Sequence, residues 1–148
     1  MHAHVGTSGY NYPEWRGTFY PEKCSATKMF GYYSERFRTV EINYTFYRMP
    51  TEKLVAGWVE QAPTGFRYTL KAPKRITHDR RLKDCEKETT FFTDCARGLG
   101  VHLASLLFQL PPTMHCDIGR LGDFLAPLPQ GVKAAFDLRN DSWPHDRH

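Results

Sequence analysis

Strand-like runs alternate with helical runs along this chain, and that alternation restricts its fold more than any other feature. Short strand-like runs occupy residues 4–8, 39–47, 66–72, 105–110 and 133–139. Between them, apolar residues recur at helical spacing. The four sets are Met29, Phe30, Tyr33 and Phe37; Leu54, Val55 and Trp58; Phe91, Phe92, Cys95 and Leu99; and Ile118, Leu121 and Leu125. Thr51, after Pro50, suits the N-cap of the second helix, because its hydroxyl can accept from a backbone N–H of the first turn. Gly98 and Gly100 punctuate the end of the third. Strands separated by helices must run parallel, so the pattern predicts a βαβ-type sheet.

The parity of the strands chooses between an open, doubly covered sheet and a barrel. Successive side chains point to opposite faces. Val40, Ile42, Tyr44 and Phe46 then share one face of the second run, and Glu41, Asn43, Thr45 and Tyr47 the other. In the third, Tyr68, Leu70 and Ala72 oppose Arg67, Thr69 and Lys71. Leu106, Phe108 and Leu110 oppose Ser105, Leu107 and Gln109, and Ala134, Phe136 and Leu138 oppose Ala135, Asp137 and Arg139. A sheet covered by helices on both sides needs two apolar faces. One apolar and one polar face instead predicts a TIM-type (β/α) barrel, about its first five units of eight, with the chemistry at the carboxyl ends of the strands.

Length and composition fit this reading. The 148 residues suit a single domain, and ten Phe, eight Tyr and three Trp can build a large core. The net charge of +4 is mild, and Lys and Arg are scattered among acids, unlike the dense stripe of a nucleic-acid module. The densest basic stretch runs from Lys71 to Arg81. The four cysteines form no CxxC pair, so reduced thiols are expected. No run approaches the roughly 20 apolar residues of a membrane span, and none resembles a secretory leader. These features predict a cytoplasmic protein with no membrane association.

Five runs in order, VGTSGYNYPEWRGTFYP, FRTVEINYTFYRMP, FRYTLKAPKRITH, LLFQLPP and FDLRNDSW, resemble the YecE-like family, domain of unknown function 72. They span Val5 to Trp143. The resemblance implies a TIM-type barrel with a cleft at its top and no established reaction. Asp137 stands where that family more often has Glu, and Ala104-Ser105 where a Gly-Pro pair is common. The resemblance also implies further strands after the SW run, so the chain is expected to be a C-terminally truncated member.

The inward face carries the candidate chemistry. Glu41, Lys71 and Asp137 are the candidate catalytic groups. A carboxylate at a strand end suits a general base or a hard-metal ligand, and Lys71 an anion contact or an amine base. The alternative is mutual neutralisation, with Glu41 paired to Lys71 or Arg139 and Asp137 to Arg139. The candidate substrate-binding residues are Ser8, Tyr10, Asn43, Tyr47, His78, Gln109, Arg139 and Trp143. Tyr12, Trp15, Tyr47 and Trp143 are candidates for an aromatic rim, against the commoner role of such residues in a core. No metal motif, P-loop, GxGxxG or GxSxG is present, and His2, His4, His145 and His148 are terminal. A divalent metal on the strand-end carboxylates Glu41 or Asp137 is the cofactor this chemistry would admit. The leading expectation is an enzyme with hydrolase or lyase/isomerase-type acid–base chemistry on a small anionic or sugar-like substrate. The alternatives are a nucleic-acid binding or processing protein using residues 71–81 and the aromatic rim, and an inactive, self-associating fragment.

Overall fold

The structure, a computed structural model, describes residues 3–144. Five strands, β1 (Gly6–Ser8), β2 (Thr39–Ile42), β3 (Arg67–Lys71), β4 (Leu103–Gln109) and β5 (Ala134–Asp137), form one parallel sheet in sequence order. The helices between them are α1 (Ala26–Ser34), α2 (Tyr44–Tyr47), α3 (Glu52–Gln61), α4 (Glu86–Arg97) and α5 (Ile118–Leu125). The sheet is open: among the described residues β1 pairs only with β2, and β5 only with β4.

Local chemistry fixes the helix starts. Thr51 caps α3, its hydroxyl accepting from the Leu54 N–H at 3.2 Å. Asp117 does the same for α5, accepting from the Arg120 N–H at 2.9 Å. Each cap satisfies a backbone donor that the helix leaves free.

The apolar parity of the strands packs under the helices. Val40, Ile42, Tyr68, Leu70, Leu106 and Phe108 are buried there. They share one core with Met29, Phe30 and Tyr33 of α1, Val55 and Trp58 of α3, Phe92 of α4 and Phe124 of α5. Polar tips inside this core are satisfied. The Tyr33 hydroxyl donates to the Thr39 carbonyl and accepts from the Thr7 N–H, both at 2.9 Å, pinning α1 to the first two strands. The Tyr68 hydroxyl donates to the Trp58 carbonyl at 2.9 Å. Phe91 is the exception to the expected stripe on α4: it is exposed, and Thr89 and Thr93 are buried in its place.

The second strand departs from expectation. It ends at Ile42, and residues 44–47 make one helical turn. Thr45 causes the bend: it is fully buried and its hydroxyl donates to the Lys71 carbonyl at 2.6 Å, docking the turn on the end of β3. Aromatics at positions 44 and 46 mimic strand alternation, but over four residues a turn accommodates the same pattern. A π-helical turn, Arg75–Asp79, follows β3, a feature often found at functional sites.

Candidate functional site

The opposite face of the sheet carries the polar parity, and its register sets the layout. Ser8, Glu41, Thr69 and Ser105 are successive partners across four strands. Lys71, Leu107 and Ala135 form the next level, and Gln109 and Asp137 pair above them. Thr69 and Ser105 hydrogen-bond across the sheet at 3.1 Å. Glu41, Lys71 and Asp137 therefore share one face near the carboxyl ends of parallel strands, as the parity predicts.

Two clusters emerge on this face. The first joins β1 and β2. The Ser8 hydroxyl donates to Glu41 Oε1 at 2.9 Å, and Asn43 Nδ2 donates to Ser8 Oγ at 2.8 Å. Gly9 makes the turn that presents Ser8: its φ of 77° lies in the left-handed region, and its N–H donates to the Glu41 carbonyl at 2.8 Å. Asn43 Oδ1 is buried without a hydrogen-bond partner. Glu41 makes no ion pair among the described residues, so the neutralising contact with Lys71 or Arg139 does not form.

The second cluster is cationic and gathers at the ends of β3 to β5. Lys71 Nζ lies 4.8 Å from the centroid of the Phe46 ring, a cation–π contact. The His78 ring meets the same phenyl edge-on, with centroids 5.0 Å apart. His78 Nδ1 lies 2.8 Å from the hydroxyl of the buried Thr77. Burial, and after it the Lys71 charge, pushes the His78 imidazole below its ordinary pKa; Arg139 and Arg81 act the same way, and Asp79 opposes them. Arg81 belongs to a loop in which three non-glycine residues, Arg81, Leu82 and Asp84, have φ between 50° and 65°.

Asp137 closes this second cluster. Its Oδ2 accepts from Gln109 Nε2 at 2.8 Å and from Arg139 Nε at 3.0 Å. Partial burial raises its pKa, but those two hydrogen bonds and the Arg139 and Lys71 charges outweigh burial and hold the carboxyl below the usual range. The neutralisation weighed for Asp137 and Arg139 is thus realised as a half-exposed ion pair.

The aromatic expectations fare differently. Trp143 is 2% exposed, and its indole N–H donates to the Met114 carbonyl at 3.1 Å, so it is a core residue and not part of a rim. Tyr10 packs on Phe30 and Tyr33 with centroids 5.2 and 5.9 Å away, on the helix side of the sheet. Tyr12 packs tilted against Trp15, with centroids 4.6 Å apart, and Trp15 continues into Phe19 and Tyr20. Only Tyr47 of the four proposed rim residues is open, at 72% exposure. Sequence reasoning did not name Phe46 or Thr77 as site residues, and it gave Arg81 only as the end of the basic stretch. The first two adjoin named residues, but their contacts depend on the helical turns that follow β2 and β3.

A hollow of about 360 Å³ runs from Ser8, Glu41 and Thr69 toward the amino ends of the strands at Gly6, Thr39 and Arg67, and the second cluster does not line it. A larger one, about 610 Å³, lies between α4 and α5 and touches no candidate site residue. The strand-end face combines convergent polar groups with a perturbed histidine, and for that reason it is the stronger candidate. Among the described residues no three His, Cys, Asp or Glu side chains stand together as a metal site. His2, His145 and His148 lie outside the described residues. Among those described, no helix is long and apolar enough to cross a membrane.

The depressed pKa values of His78 and Asp137 set a pH dependence. A group whose folded pKa is lowered stabilises the fold above its unfolded pKa and ceases to do so as pH falls through the folded value. For His78 the window opens below its ordinary 6.5; for Asp137 it opens below 3.8. Thermal unfolding from about pH 8 to about pH 5 should show a loss of stability that His78→Gln abolishes. A loss of equal size in that variant would assign the effect to another group.

The chain is 27% identical over 138 residues to the UPF0759 protein YecE of Escherichia coli K12, covering 93% of this chain and 48% of that protein. It is 26% identical over 148 residues to the UPF0759 protein YunF of Bacillus subtilis, covering 95% and 51%. The chain thus spans about half the length of these curated relatives. A crystal structure of a DUF72 family protein from Thermotoga maritima superposes with a TM-score of 0.79 at 26% identity, covering 97% of this chain and 58% of that one. One from Enterococcus faecalis, at 23% identity, gives a TM-score of 0.74 and supports the fold alone. The model of the family described as protein of unknown function DUF72 matches residues 4–148, and the chain belongs to that family.

Proposed function

We propose that the sheet is the first five units of a TIM-type barrel, and that its strand-end face is an acid–base site for a small polar anion such as a phosphate ester. One observation carries this reading: beside the Asp137–Arg139 ion pair, two opposite charges of the face, Lys71 and Glu41, are not cancelled. Lys71 is held by an aromatic ring instead of a carboxylate, and among the described residues Glu41 has no cationic partner. A cation and a carboxylate left free on one face of a parallel sheet suit an anion clamp beside a general base. In this reading Lys71 and Arg139 hold the anion, and neutral His78 adds a hydrogen bond. Glu41 takes the proton. Asp137 stays ionised and fixes Arg139 and Gln109. Of the aromatic platform a nucleic-acid site would need, Trp143 is in the core and Tyr12 and Trp15 pack on each other half-buried, which favours the small-molecule reading.

Orthophosphate titrated into the chain and followed by calorimetry is the direct test. Lys71→Ala and Arg139→Ala should each weaken binding by about 1–3 kcal/mol, the range of a charge-assisted hydrogen bond. Equal affinity in both variants and the parent would remove the clamp.

A further inference from the structure

The two clusters differ in hydrogen-bonding character, and that difference specifies the ligand beyond its negative charge. The Ser8–Glu41–Asn43 cluster has committed the Ser8 proton to Glu41 Oε1, and Asn43 donates to Ser8 Oγ. Among the described residues Glu41 Oε2 has no partner and Asn43 Oδ1 is orphaned, and the Ser8 oxygen keeps a lone pair. This end of the site offers acceptors, and a buried acceptor left unmet is costly. The other end, with Lys71, His78, Arg81 and Arg139, offers donors and positive charge.

We infer that the ligand is a short hydroxylated phosphate, with its phosphate on Lys71 and Arg139 and a hydroxyl donating to Glu41 beside Ser8. This rests on the anion reading above and adds the recognition of the opposite end. The spacing suits a short molecule. Glu41 is the register partner of Thr69, and Lys71 lies two residues further along that neighbouring strand. Strand separation and rise then place the two backbone positions about 8 Å apart. An amine would also satisfy the acceptors and would pair with Glu41, but it would bring a second positive charge toward the cations at the other end of the site. A neutral hydroxyl avoids that repulsion.

The test compares orthophosphate, glycerol phosphate and phosphoethanolamine by calorimetry on the chain and on Glu41→Ala. Glycerol phosphate should bind about tenfold tighter than orthophosphate, the effect of one hydrogen bond to a charged acceptor, and tighter than phosphoethanolamine. In Glu41→Ala that advantage should vanish while orthophosphate still binds, which also shows that the variant is folded. An advantage that survives in Glu41→Ala, no advantage in the parent, or a preference for the amine would each overturn the inference and leave the anion site standing. Failure of orthophosphate to bind the parent would remove both.

Discussion

Trp143→Ala is expected to lower the unfolding free energy by about 3–5 kcal/mol, the range for deleting a large buried aromatic. The indole is 2% exposed, and its N–H donates to the Met114 carbonyl. Its segment forms a latch between the exits of β4 and β5. Asn140 Nδ2 donates to the Pro112 carbonyl at 2.6 Å, and Ser142 Oγ accepts from the Cys116 N–H at 2.7 Å. Removing the ring leaves a cavity and an unmet carbonyl, two costs that add. Tyr47→Ala, at a side chain 72% exposed, should change stability by less than about 0.5 kcal/mol. Urea unfolding of the two variants makes the comparison. A loss below about 1 kcal/mol for Trp143→Ala, with anion binding abolished, would return the tryptophan to the binding site.

The contrast between these aromatics marks what the sequence can and cannot convey. Strand parity is a local property: alternate residues must take opposite faces, so Glu41, Lys71 and Asp137 could be assigned to one surface without coordinates. The parallel direction of the strands followed from the alternation of elements. What Tyr10, Trp15 and Trp143 touch depends on how the loops fold back, and neither composition nor spacing carries that. The end of β2 failed for a related reason. Thr45 looks like an inward polar residue of a longer strand, yet its hydroxyl reaches the Lys71 carbonyl 26 positions away and turns the chain. That same turn puts Phe46 between Lys71 and His78, so the misplaced strand end also hid the residue that positions the cations. Ion pairing was equally open. Whether Arg139 would neutralise Glu41 or Asp137 was decided by β5, where Asp137 stands two residues before it on the same face.

The 148-residue chain on its own is expected to self-associate. β1 and β5 each have one paired neighbour among the described residues, so each presents an outer row of backbone donors and acceptors, a template for a further strand. Side chains near the β5 edge are correspondingly uncovered. Phe136 and Leu138, on the parity that is buried in the central strands, are only half-buried. On α5, Ile118 is 61% exposed and Leu125 is 42% exposed, seven residues apart on one stripe with the half-buried Leu121. In a closed barrel such an edge is paired and such a stripe is covered by the next helix. Left open, an edge strand beside an apolar stripe drives association. Light scattering should therefore report a mass that rises with concentration. Ile118→Lys with Leu125→Lys should reduce that rise by charging the stripe, without touching the strand-end site. A monomer at every concentration, unfolding in one sharp cooperative transition, would show instead that five strands suffice and that the open edges are tolerated as they stand.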